Sequence, residues 1–206
     1  MSNKRFFNVQ QRAIVEAAMA RMIPTDHDPG AREAGAIDFV DRYLSGIGFV
    51  YAKPVGSGFE PLNGKAAEAW RQRIEILRKT YADGIAALDA LSRERFGVGF
   101  TALDEQRQDQ ALAAVERGDA KEDEPPPLQQ SLAETELAFV PLLALHTRQG
   151  FYADPIYGGN KGHVGWKVIG FPGPSSLIEV FAGRYNTLQW FAEGEAEKYL
   201  EANRGE

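Results

Sequence analysis

Apolar residues recur at helical spacing through most of this chain. Between residues 9 and 23, Ile14, Ala18 and Met22 fall on one line with Val15 and Met19 beside it, and Pro24 ends the pattern. Ile37, Val40 and Leu44, flanked by Phe39 and Tyr43, predict a short helix over about 34–44, closed by Gly46 and Gly48. The clearest pattern runs from about Lys65 to Phe96, where Trp70, Ile74, Leu77, Tyr81, Ile85, Leu88 and Leu91 repeat at steps of three and four. It predicts one long amphipathic helix with its rings in the core and Arg71, Arg73, Glu75 and Arg78 in solvent. Thr101-x-x-Asp104 resembles a capping signal for a helix to about Arg117. Ser131-x-x-Glu134 resembles a second, for a helix through Leu137, Val140 and Leu143 to about Arg148, bent at Pro141.

Extended structure is confined to two short candidates, Phe49-Val50-Tyr51 and Trp166 to Ile169. Residues 119–127, an acidic run with three prolines, read as an exposed linker. Beyond Pro174, Leu188, Phe191, Tyr199 and Leu200 suggest a terminal helix interrupted by Gly194. The expected fold class is mostly α: a compact helical domain over residues 1–206 with long ordered loops and a glycine- and aromatic-rich loop region near the C-terminus.

That region, Gly150 to Gly173, breaks the helical pattern. It is dense in glycine, as a linker is, yet it carries Phe151, Tyr152, Tyr157, Trp166 and Phe171, which a linker has no core to hold. The combination predicts an ordered loop whose backbone reverses at Asp154-Pro155 and at Gly158-Gly159-Asn160. Phe151 and Phe171 fit either core or surface. Tyr157, Lys161 and Trp166, set among glycines, read as surface, and the whole stretch as a recognition surface.

Composition narrows the function. The net charge of -6 and pI near 5.2 disfavour nucleic acid, which needs clustered Lys and Arg to displace counterions. No apolar run is long enough to span a bilayer. The chain has no cysteine, which excludes a c-type haem attachment, thiolate-held iron–sulfur clusters, Cys-ligated zinc and thiol nucleophiles. Met1-Ser-Asn-Lys-Arg-Phe-Phe enters a helical pattern without the apolar region of a signal peptide. A cytoplasmic location, export alongside a partner, and a leader outside this chain all stay open.

Candidate chemistry is sparse. Asp26, His27 and Asp28 form half of a conceivable metal site that would need His146 or His163 to complete it; the alternative is turn formation and capping by Thr25 and the aspartates. The turn Gly158–Gly162, with Lys161, suits an anion in composition but lacks phosphate-loop spacing. No Gly-x-Ser-x-Gly elbow occurs. His146, near a helix end, reads as a cap or a satisfied core histidine.

Several motifs together resemble the gluconate 2-dehydrogenase subunit 3 family. They are Phe6-Phe7, Ile23-Pro-Thr-Asp26 with Pro29-Gly-Ala31, Asp38-Phe-Val-Asp41, Gly150-Phe-Tyr-Ala-Asp-Pro-Ile-Tyr-Gly-Gly-Asn160, Gly165-Trp-Lys167 and Gly170-Phe-Pro-Gly173. The resemblance covers about residues 6–173, and residues 174–206 form an extension to which it gives no role. It implies a non-catalytic small subunit that helps fold and stabilise an FAD-containing catalytic subunit of the glucose–methanol–choline type, in a complex that oxidises a sugar, sugar acid or glycoside. It implies no cofactor in this chain, a c-type cytochrome as a third subunit in many complexes, and a periplasmic location. On this reading Tyr152, Asp154, Pro155, Tyr157, Gly158, Gly159, Asn160, Lys161 and Trp166 bind the partner.

Overall fold

A computed structural model of the chain describes residues 5–46, 49–52, 59–119, 133–171 and 173. The predicted linker beyond residue 119 and the predicted terminal helix lie outside the described residues. The fold is mostly α, with helices α1 (Val9–Met22), α2 (Ala36–Leu44), α3 (Gly64–Phe96), α4 (Glu105–Asp119), α5 (Phe139–Tyr152) and α6 (Val164–Val168). The extended piece at Phe49 is strand β1 (Phe49–Ala52), paired antiparallel with β2 (Phe59–Pro61) so that Ala52 faces Phe59.

Helices α1 to α5 enclose one core in which Val15, Ala18, Val40, Leu44, Leu77, Tyr81, Leu88, Phe100, Leu142 and Leu143 lose essentially all contact with solvent. The start of α1 is fixed by a reciprocal cap: Asn8 Oδ1 accepts the Gln11 N–H at 2.8 Å while Gln11 Oε1 accepts the Asn8 N–H at 3.1 Å. Arg21 at its far end grips Asp109 through Nε and Nη2 at 2.8 and 3.0 Å, tying α1 to α4. The expected capping signal Thr101-x-x-Asp104 is shifted by one turn: Thr101 lies in a 3₁₀ turn, and Asp104 itself caps α4 by accepting the Arg107 N–H at 2.8 Å. The end of α3 is set by Gly97, which adopts φ 79° and returns its N–H to the Arg93 carbonyl at 2.9 Å.

Six further expectations are corrected. The aspartates of residues 26–28 make a turn, with the Asp28 N–H on Asp26 Oδ1 at 2.9 Å, but they do not cap α2; Gly35, at φ 62°, stands there without a side-chain bond. The charged face of α3 is only partly solvated, because Arg78 Nε donates to the Leu44 carbonyl at 2.7 Å and Arg73 pairs with the buried Glu134. Ser131 lies outside the described residues, and Glu134 turns inward instead of capping a continuous helix. Pro141 produces no bend: α5 starts at Phe139, so the proline occupies the first turn, where the N–H it lacks would have no helical acceptor. That helix also runs past Arg148 to Tyr152, and the expected strand at Trp166–Ile169 is the short helix α6 followed by a turn.

Candidate partner-binding site

From Ala153 to Gly173 the chain folds back over α2 and α5 as two single 3₁₀ turns and α6. Asn160 holds this fold-back together. Fully buried and in the left-handed region at φ 47°, it donates its own N–H to the Gly150 carbonyl at 2.8 Å. Its side-chain nitrogen donates to the Ala153 carbonyl at 3.0 Å, and its side-chain oxygen accepts the Gly165 N–H at 2.8 Å. One residue thereby satisfies two carbonyls at the end of α5 and an N–H at the start of α6. Gly159 and Gly165 make the approach feasible, because a Cβ at either would collide with the Gly150 or Phe151 carbonyl oxygen respectively.

Trp166, expected at the surface, is 6% exposed. Its indole N–H donates to the Tyr152 carbonyl at 2.7 Å, and Phe171 meets its ring edge-on at 5.3 Å. The burial follows from α6: a five-residue helix turns Trp166 under the loop, whereas an extended segment would have let it project. Phe151 is buried as well, and Phe171 is half-buried. Asn160, Gly159 and Trp166 thus shape the surface from beneath and do not form it.

Lys161 crosses back to α2. Its N–H donates to the Ala34 carbonyl at 2.9 Å, its stem lies against Gly35, and its ammonium pairs with Asp38. Asp38 also receives Arg12, which bonds Asp41 at 3.1 Å, and Asp41 in turn accepts the Phe6 and Phe7 N–H groups at 2.7 and 3.0 Å. The N-terminal segment and the loop are therefore clasped to one face of α2. Burial alone would raise the Asp38 carboxyl, but the bonds from Lys161 and Arg12 outweigh it and hold the group below its ordinary value.

The outward side chains of the loop are Tyr152 and, in part, Asp154, Pro155 and Tyr157, with Lys161, His163, Lys167 and Ile169. Asp154 accepts the Ile156 N–H at 2.9 Å and so shapes its own turn. The turn Gly158–Gly162 is not an anion cradle in this geometry, since the N–H groups of Gly158, Asn160 and Lys161 already donate to carbonyls at 3.0, 2.8 and 2.9 Å.

Two histidine readings are also decided by placement. Asp26, His27 and Asp28 do bring ligand atoms within 4.8 Å of one another at the surface. His146 cannot complete that set, because it is fully buried between Tyr81, whose hydroxyl meets Nδ1 at 2.9 Å, and Glu134, which faces Nε2. Glu134 also accepts the Tyr43 hydroxyl at 3.1 Å and the Arg73 guanidinium. Burial, reinforced by the Arg73 charge, pushes the His146 pKa down to about 3, so the ring is neutral, with Nε2–H donating to Glu134 and Nδ1 accepting from Tyr81. Burial likewise raises the Tyr81 phenol. Sequence reasoning treated Glu134 as a cap and did not single out Tyr81; only the step of twelve residues between Glu134 and His146 hinted at their meeting.

The architecture is thus that of a small helical protein whose segment from Gly150 to Gly173 folds as an ordered clasp over α2 and α5, with Tyr152, His163, Lys167 and Ile169 exposed on its outward side. The chain belongs to the gluconate 2-dehydrogenase subunit 3 family, whose model matches residues 9–173. This is the family its motifs resemble, and the match ends at the last described residue of the clasp. By family the chain is a subunit of a dehydrogenase complex. No curated protein and no solved structure matches it. Among the described residues, no helix is long and apolar enough to cross a membrane.

Proposed function

We propose that this chain is the non-catalytic small subunit of a flavin-dependent sugar, sugar-acid or glycoside dehydrogenase, and that it binds and stabilises the FAD-containing catalytic subunit. The observation that carries this is the construction of residues 150–173. Asn160 and Trp166 satisfy the loop's backbone from beneath, which leaves Tyr152, Asp154, Pro155 and Tyr157 presented on an ordered surface. A surface ordered in advance loses less conformational entropy on docking. The absence of cysteine from all 206 residues supports placing the redox centres in other subunits, a c-type cytochrome among them.

The test is co-expression with a flavoprotein large subunit from the same source. A fixed-ratio, yellow complex whose soluble yield depends on this chain supports the proposal. A monodisperse, colourless chain that leaves the flavoprotein's yield and flavin content unchanged defeats it. A second reading, a divalent cation at Asp26, His27 and Asp28, is favoured only by the proximity of those side chains. Metal analysis of the purified protein decides it, with stoichiometric zinc, iron or manganese in favour and none against.

A further inference from the structure

Arg42 lies near the end of α2, where two segments distant in sequence, β2 and the loop, converge on it. Its Nη1 donates to the Ile156 carbonyl at 2.6 Å. The guanidinium carbon sits 4.4 Å from the centroid of the Phe59 ring on β2, and Tyr157 meets that same ring edge-on at 5.7 Å. Arg42, Phe59 and Tyr157 are all half-buried, so the guanidinium lies over the Phe59 face in a shallow notch at the surface, with Tyr157 packed on the edge of that ring.

The notch holds an unbalanced cation. Arg12, Arg21, Arg73, Arg93 and Arg107 each meet an Asp or Glu, whereas no carboxylate among the described residues reaches Arg42. A guanidinium carries five N–H donors in a fixed fork, and the Ile156 carbonyl engages only one nitrogen. A clip between α2 and the loop would need a single neutral donor. A partly desolvated cation instead carries a cost that a counter-charge would relieve. Burial accordingly lowers the Arg42 pKa, with only Tyr157 opposing.

We propose that Arg42, stacked on Phe59, receives a carboxylate from an acidic side chain of the partner subunit. This rests on the reading of the chain as a partner-binding subunit. A carboxylate presents two coplanar oxygens that match the guanidinium fork, and the aromatic face favours the flat ion pair. Local charge points the same way. The exposed side chains from Tyr152 to Ile169 are Tyr152, Lys161, His163, Lys167 and Ile169, none of them acidic, in a chain whose net charge is -6. Lys161 is committed to Asp38 and Glu60 is exposed beside Phe59, so the positive charge left on this side for an acidic partner is that of Arg42 and Lys167.

The experiment measures dissociation of the co-expressed complex for wild type, Arg42→Gln, Arg42→Lys and the distant control Lys79→Gln, at low and high salt, together with the melting temperature of each free chain. Arg42→Gln is expected to weaken the complex by about tenfold or more, the scale of a lost charge-assisted hydrogen bond. Arg42→Lys keeps a cation and a donor for Ile156, so it retains the fold, yet it is expected to bind several-fold weaker because a point charge lacks the fork. Wild-type binding with Arg42→Lys and Arg42→Gln both within twofold overturns the carboxylate site and leaves the partner reading standing. Failure of the wild-type complex to form overturns the partner reading itself. A thermal stabilisation of the free chain by acetate that Arg42→Gln abolishes, with complex affinity unchanged, assigns the notch to a small free carboxylate and overturns the proposed source.

Discussion

His146 and Asn160 are both fully buried polar side chains, fourteen positions apart, yet they are satisfied in opposite ways. His146 bonds only to other side chains, Tyr81 and Glu134, and that group continues to Tyr43 and Arg73. It pins α5 against α3 and the turn at Glu134, but the helices already satisfy their own backbones. Asn160 bonds only to backbone, at Ala153 and Gly165, while its own N–H takes Gly150. In a segment with little regular structure it does what a helix or sheet ladder does elsewhere. The core network selects one packing of preformed elements, whereas the asparagine creates the element itself.

The largest expected effect breaks the core side of this contrast. Glu134→Ala leaves the buried His146 short of an acceptor, removes one from the half-buried Tyr43 and takes the counter-charge from the partly exposed Arg73, at a cost of about 3 kcal/mol in denaturant unfolding. Every probe of unfolding should shift together, because the loss lies in the shared core; a variant as stable as wild type would show the network to be dispensable.

Breaking the loop side should be smaller and local. Asn160→Ala unsatisfies buried backbone groups and is expected to cost about 2–3 kcal/mol. Hydrogen exchange should accelerate at Gly165 while the amides of α3 stay protected. Tyr157→Ala, at a half-exposed position, should weaken partner binding with little change in the free chain's stability. If Asn160→Ala instead exposes the whole core, the loop is not a separable layer.

Protonation offers a third probe. The folded His146 pKa, about 3, lies below the ordinary value of 6.5, so the unfolded chain binds the additional proton between those limits. Stability contributed by this group is therefore complete above about pH 6.5 and is lost as pH falls towards 3, at up to about 1.4 kcal/mol per pH unit. Urea unfolding across that range checks the slope, and the His146 ring signals in NMR should show no titration down to about pH 5. A ring that protonates near 6.5 in the folded state would contradict the neutral tautomer drawn from the geometry.

The smallest effect is expected at the clasp. Asp38→Asn removes the charge of a partly exposed carboxylate shared by Arg12 and Lys161, and should lower stability by about 1 kcal/mol or less, with the difference shrinking at high salt. A salt-independent loss of several kcal/mol would mean that the clasp, and not Asn160, holds the loop in place.

Much of the helical layer was legible in the residues. The three–four repeat from Trp70 to Leu91 placed α3 nearly to the residue, and Asp104 marked the start of α4, because helical phase and capping are set within a few residues of chain. The misreadings share one cause. Trp166-Lys-Val-Ile alternates ring, charge and aliphatic as a strand does, but Asn160 and His163 in left-handed conformations launch a five-residue helix there and turn Trp166 inward. Ser131-x-x-Glu134 matched a capping pattern, yet the Glu134 side chain answers to His146 and Arg73, which arrive from other helices.

The sequence by itself determined the mostly α class, the bounds of α1 and α3, the family and the stretch that carries its motifs, since each depends on periodicity or on local combinations of residues. Tertiary structure alone decided which of those motif residues face outward. Asn160 and Trp166 are drawn under the loop because buried carbonyls at Ala153 and Tyr152 require donors, and Lys161 is drawn to α2 by Asp38. It also decided that Arg42, unremarkable on a helical face, lies over Phe59 and bonds Ile156 with no carboxylate at hand among the described residues, because the strands and the loop meet only after the chain has folded.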